Sequence, residues 1–191
     1  MHDDSSTLKL MRTAHHEAGH ATMRIVLNLP FTKVIIEESK GIFKSSGALE
    51  LPEGAGLKEE DVLVGKLCLK EALCAIAGPV AESILIGQTD RKSWNGGVCD
   101  IGMIHICCHA AVQPSGIKLE EFNFKRSLLV RTITESLSMQ AYAILKEHWS
   151  GVRAIASHLI KHRSLTADEA KSIFAIETAG DNDKRSGLCD R

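Results

Sequence analysis

Aromatic residues are scarce in this chain, with five Phe, two Trp and one Tyr among 191 residues. A surface that stacks nucleic-acid bases is built on aromatic rings, so the scarcity argues against one. Excess positive charge is missing as well. Lys and Arg number 23 against 24 Asp and Glu, for a net charge of −1. Phosphate binding draws on clustered cations, and nucleic acid is therefore not an expected partner. No run of about 18 apolar residues occurs, so no direct membrane insertion is expected. The nearest approach, Ala72 to Gly87, is broken by Pro79 and Glu82. The opening MHDDSSTLKL has neither the basic nor the apolar region of a signal peptide. Cys68, Cys74, Cys99, Cys107, Cys108 and Cys189 form no C-x-x-C pair and sit among apolar residues, as reduced buried thiols do. A cytoplasmic location is the expectation. No internal repeat occurs.

The length suits one domain with a real core. Leu10, Ala14, Ala18, Ala21 and Ile25 recur at helical spacing. Ser5, Ser6 or Thr7 is expected to cap that helix, and Asn28 and Pro30 to end it. Residues 32–38 (TKVIIEE) and 47–51 (GALEL) read as two short strands, followed by a loop at 52–56. An apolar-periodic helix covers 59–77 and can run past Gly78-Pro79 to Ile86, with Gly87 as its stop. A polar loop spans 88–99. Helical patterns cover 100–112, about 120–149, and 151–162. Thr166-Ala167-Asp168-Glu169 is a capping box that opens a last helix, with Leu165 placed as its staple. The expected fold is mainly α with a small β-sheet of two or three short strands. The domain covers 1–179, and a polar tail at 180–191 is expected to be disordered.

Against that background one motif stands out. His16-Glu17-Ala18-Gly19-His20 reads H-E-x-x-H. On a helix, residues i and i+4 share a face, so both imidazoles can reach one metal ion. Neutral His nitrogens suit Zn²⁺. Zinc lowers the pKa of a bound water to about 7, and Glu17 can then take its proton. Shuffling a composition with nine His and 15 Glu yields the pattern about 0.03 times per chain, so chance is a poor account of it. The bland alternative is a surface helix with two solvated histidines.

A catalytic zinc takes three protein ligands and keeps an open position. Only 15 residues precede His16, so the third ligand lies downstream. Glu37 and Glu38 lie in a strand pattern and read as exposed strand-end charges. Glu82 is an acidic residue inside an apolar helix, as when a second helix supplies a ligand. Asp100 follows a Gly-rich loop and opens a helix, where a plain N-cap is the lesser alternative. His105 and His109 are also spaced i, i+4, with Cys107 and Cys108 between them. A second metal pair is one reading of these, and core or surface histidines the favoured one.

The chain resembles the peptidase domain of FtsH-type ATP-dependent zinc metalloproteases. Thr13-Ala14-His15-His16-Glu17-Ala18-Gly19-His20-Ala21 is similar to that family's T-A-x-H-E-A-G-H-A. Lys33-Val34-Ile35-Ile36, with Leu51-Pro52-Glu53-Gly54, resembles its K-V-T-I and L-P-x-G strands. Ala77 to Gly87 resembles its G-G-R-x-A-E-E-x-x-x-G helix, and Gly96-Gly97-Val98-Cys99-Asp100-Ile101 its G-A-x-N-D-I/L segment. Ala143 to His148 and Ser164-Leu165-Thr166 echo its late helix and closing stretch.

The resemblance implies a helical zincin-like core around the H-E-x-x-H helix. It implies zinc bound by His16, His20 and Asp100, with Glu17 as general base. Glu82 then steadies a ligand His by a hydrogen bond. The implied activity is endopeptidase cleavage of unfolded or flexible polypeptides. Three departures stand out. Cys99 replaces the family's Asn, Pro79 replaces its Arg, and His105, Cys107, Cys108 and His109 alter the helix after Asp100. No G-x-x-x-x-G-K-[ST] loop occurs either, so a stand-alone, ATP-independent domain is expected, with an ATPase acting in trans as the alternative. Ring assembly as a homo-oligomer would rest on helix contacts alone. The rival function is a proteolytically inactive, zinc-stabilised interaction module that uses helices 120–162 for assembly.

Overall fold

The computed structural model describes residues 4–39, 42–44, 49–50, 64–87, 104, 107 and 123–186, with side chains at 6–36, 67–87, 104, 107 and 130–179. Asp100, His105, His109, Cys99, Cys108, Cys189 and the 52–56 loop lie outside these residues.

Helix α1 (Asp4–Val26) carries the motif. It begins before Ser5, so the expected capping residues lie within the helix rather than ahead of it. Its end is set by Asn28, held left-handed at φ 52°. The Asn28 amide donates to Ile25 O (3.1 Å) and the Leu29 amide to Arg24 O (2.8 Å), which satisfies two of the last carbonyls. Helix α2 (Val64–Leu85) passes through Pro79 without a break. It stops at Gly87 (φ 69°), a left-handed position that glycine occupies without steric cost. Helix α3 spans Asn123–Glu147, α4 Trp149–His162 and α5 Ala167–Ser186. The α5 helix continues beyond residue 179, where the polar composition of 180–186 suggests a tail. Once nucleated, each added residue gains one backbone bond, so polarity alone does not end a helix.

The helices pack in the spatial order α3, α2, α1, α4, α5, each on its neighbours. Ala14, Ala18 and Ala21 on α1 are fully buried, as are Ala72, Ala77 and Ala81 on α2. Small residues let these backbones approach closely. At Gly19 an added Cβ would lie 2.6 Å from Ala77 O and 2.7 Å from Ala81 Cβ. Larger side chains fill the outer layers, among them Leu145 on α3 and Val152, Ile155 and Leu159 on α4, all at 0% exposure.

The strand content is small and antiparallel. The expected strand at 32–38 is two strands, β1 (Lys33–Ile35) and β2 (Glu37–Ser39). They part at Ile36, whose amide donates to Arg163 O (2.7 Å), one step beyond the pair Ile35–Ser164 in the same register. Strand β3 (Ile42–Lys44) forms a hairpin with β2. Strand β4 (Leu49–Glu50) and β5 (Ser164–Thr166) flank β1 in the order β4-β1-β5. The two buried cross-strand partners Val34 and Leu165 face each other. Thus β1 is central and offers no open edge to a peptide. Among the described residues no helix is long and apolar enough to cross a membrane. Cys68, Cys74 and Cys107 are buried, as their apolar surroundings predict.

Candidate metal centre

The α1 helix turns His16 and His20 toward α2. Their Nε2 atoms lie 3.0 Å apart, with ring centroids at 4.7 Å and planes at 81°. Both rings are nearly buried, at 6% and 7% exposure. What holds each ring lies on its far side. His16 Nδ1 is 2.8 Å from Glu82 Oε1, and His20 Nδ1 is 2.7 Å from the Cys74 carbonyl oxygen.

These partners determine the tautomers. A carbonyl only accepts, so His20 Nδ1 carries the proton and donates it. Burial, the largest influence on Glu82, pushes its carboxyl up. The bonds and charges of His16 and Arg12 outweigh it and leave the group below its ordinary value. An ionised Glu82 also only accepts, so His16 Nδ1 donates too. In neutral rings both Nε2 atoms then present lone pairs to each other across 3.0 Å. Two facing acceptors repel unless a proton or a metal cation lies between or beside them. Ligating histidines are held in this way, with the second ring nitrogen donating to a carboxylate or carbonyl. Two ligands each about 2.0–2.1 Å from zinc sit about 3.3 Å apart in a tetrahedron, close to the observed spacing.

Gly78 leaves space at the same edge. A Cβ there would lie 2.5 Å from His20 Nε2 and 2.7 Å from His16 Nε2. Glycine is therefore what lets α2 approach both ring edges. Glu17, at 1% exposure, is buried beside its neighbour His16 in the motif. His15 points elsewhere. Its Nδ1 bonds Met11 O (2.8 Å) and its ring lies 5.8 Å from the Trp149 ring, which ties α1 to α4. The Cys74 thiol is pushed up to about 12, mainly by burial, and so contributes no thiolate.

Of the residues singled out by sequence, the structure gathers His16, His20 and Glu82. Glu82 meets the Nδ1 side of His16, opposite the paired Nε2 edge, so it supports a ring rather than completing a set of three. Among the described residues no three His, Cys, Asp or Glu side chains converge as a metal group. Asp100, His105 and His109 fall outside those residues. Sequence reasoning passed over three contributors to the geometry: Gly78, the Cys74 carbonyl and Arg12. Arg12 reaches Glu82 Oε2 through Nε (3.1 Å) and Nη2 (2.9 Å). The available signals were the Gly78-Pro79 interruption and the i, i+4 spacing of Arg12 and His16.

No family model matches the chain. It is 25% identical over 186 residues to a protein named ATP-dependent zinc metalloprotease FtsH 2, from Methylacidiphilum infernorum (isolate V4). The match covers 84% of this chain and 28% of that protein. The likeness is to a distant relative, and this chain spans a little over a quarter of that relative's length.

Proposed function

We propose that this chain is a zinc-dependent endopeptidase with His16 and His20 as two metal ligands, Asp100 as the third and Glu17 as general base. The observation that carries the reading is the opposed Nε2 pair, each ring anchored through Nδ1 to an acceptor. The distant zinc metalloprotease relative supports the same chemistry. Zinc held there would supply Lewis-acid polarisation of a peptide carbonyl and a more acidic water.

The chain's own residues do the rest. His20 is locked by the Cys74 carbonyl and His16 by Glu82, so neither ring has to reorganise during the reaction. Glu17 accepts the attacking water's proton at a carboxylate oxygen and returns it to the leaving amine nitrogen. Glu17 also favours catalysis over a purely structural metal, which has no use for a base beside its ligands. The 191 residues carry no nucleotide-binding loop of the G-x-x-x-x-G-K-[ST] type. Any ATP-driven unfolding therefore comes from outside them, and the proposed substrates are flexible or already unfolded polypeptides.

The test compares zinc-loaded parent with Glu17→Gln on denatured casein without ATP, with bound zinc measured in both. General-base loss lowers kcat/KM about 10²–10⁴-fold. Parent cleavage, and its loss in the variant at equal zinc content, is the expected result. Equal cleavage by both would remove Glu17 from the mechanism. Zinc binding with no cleavage by either would favour the inactive interaction module.

A further inference from the structure

The anchor of His16 does not end at Glu82. Glu82 Oε1 meets His16 Nδ1 at 2.8 Å, while its other oxygen is taken by Arg12 Nε (3.1 Å) and Nη2 (2.9 Å). The line runs on through the His16 ring to the Nε2 pair. Its inner end is buried, and its outer end is a guanidinium with 40% of the side chain exposed. Arg12 and His16 are one helical turn apart on α1, so one carboxylate from α2 can meet both.

We infer that Arg12 is a positioning residue for the metal centre, fixing the Glu82 carboxylate so that one oxygen stays aligned with His16 Nδ1. The inference rests on the reading of His16 as a metal ligand. A carboxylate on a long side chain otherwise samples several rotamers. Two guanidinium donors on Oε2 select the one that leaves Oε1 facing the ring. The planar fork supplies that geometry, whereas an ammonium supplies only charge. An alternative role for Arg12, joining α1 to α2 for stability alone, predicts no effect on the metal. At 40% side-chain exposure, an ion pair of this kind adds little to stability.

The experiment measures affinity for Zn²⁺ by chelator competition, and the visible absorption of the Co²⁺-loaded protein. The proteins are the parent, Arg12→Met, Arg12→Lys, Glu82→Gln and the double variant Arg12→Met/Glu82→Gln. Thermal unfolding of each metal-free protein shows whether it folds. Losing a partner behind a metal-ligating His weakens metal about 10–100-fold. Glu82→Gln is expected to show a loss of that size, and Arg12→Met a smaller one with an altered Co²⁺ spectrum. Arg12→Lys should fall between Arg12→Met and parent. In the Glu82→Gln background the Arg12 effect should vanish, because Arg12 acts only through that carboxylate. Parent-like affinity and spectrum in Arg12→Met would overturn the inference, as would an undiminished Arg12 effect in the double variant. A parent that binds neither metal would instead sink the zinc reading itself.

Discussion

A cluster of polar side chains lies inside the α1–α2 layer, whereas the polar side chains of the α4–α5 layer lie mostly outside. His16, Glu17, His20 and Arg24 are each at most 7% exposed. Three partners are distant in sequence, Glu82, Cys74 O and, for Arg24, Glu71 Oε2 (2.6 Å), while Arg24 also reaches Pro30 O (3.1 Å) nearby. In the α4–α5 layer the polar bonds are local and solvated. Thr166 and Glu169 bond across three residues, Thr178 Oγ1 donates to Phe174 O, and Lys171 reaches Asp168 at 3.9 Å. Burying polar groups costs free energy unless each is satisfied. A fold carries that cost where the groups serve a site, and the two layers differ in that respect.

The sharpest test of the difference uses glycine. Gly78→Ala places a Cβ 2.5 Å from His20 Nε2 and 2.7 Å from His16 Nε2, so the rings must turn from their anchors. Metal affinity should fall by at least the 10–100-fold that follows a lost ligand orientation, roughly. Equilibrium dialysis with zinc checks it, and parent-like binding would separate the metal from this ring edge. Next comes Gly19→Ala, where the obstacles are Ala77 O and Ala81 Cβ, atoms that move only with the backbone. Overpacking of this sort costs about 1–3 kcal/mol. Gly151→Ala on α4 meets the edge of the Phe174 ring at 2.6 Å. A half-buried ring can rotate away, and alanine in a helix gains roughly 0.5–1 kcal/mol over glycine. Urea unfolding should therefore show a clear loss for Gly19→Ala and little change for Gly151→Ala. Equal losses would break the comparison.

The same contrast decides what could be read from sequence. Features that depend on neighbours in the chain were legible. The i, i+4 histidines share a face, Asn28 and Gly87 stop their helices, and Thr166 with Glu169 forms the capping box. Features that depend on distant backbone were not. Strand β5 exists because Ser164–Thr166 pairs with Lys33–Ile35, and nothing within three residues announces it. The Ile36 amide bonds Arg163 O, far along the chain, as a continuation of the β1–β5 pairing. The anchor of His20 is a carbonyl, which residue type does not encode. Pro79 marks the neighbourhood, since it removes an amide donor and disturbs the carbonyls of the preceding turn. That signal reads equally as a helix break. Glu82 was visible as an acidic residue in an apolar helix, but which side of His16 it would meet depends on how α1 crosses α2.

The smallest expected effect belongs to the solvated layer. Thr166→Ala removes the N-cap of α5 and should cost about 1 kcal/mol, without altering zinc binding. Its partner Glu169 is fully exposed. The Thr166 amide, then the Thr166 hydroxyl, hold its carboxyl below the ordinary value of 4.5. A depressed folded-state pKa favours folding at pH values above the unfolded value, and that contribution is lost as pH falls through the folded one. Glu169→Gln keeps a hydrogen-bonding side chain but has no proton to bind in this range. The stability gap between parent and Glu169→Gln should therefore be constant near neutrality and narrow below about pH 4.5. Urea unfolding of the metal-free proteins across that range reads the gap without a contribution from bound metal. A gap that widens on acidification would mean that Glu169 is stabilised protonated, and that the cap draws on the buried layer rather than on its own three-residue loop.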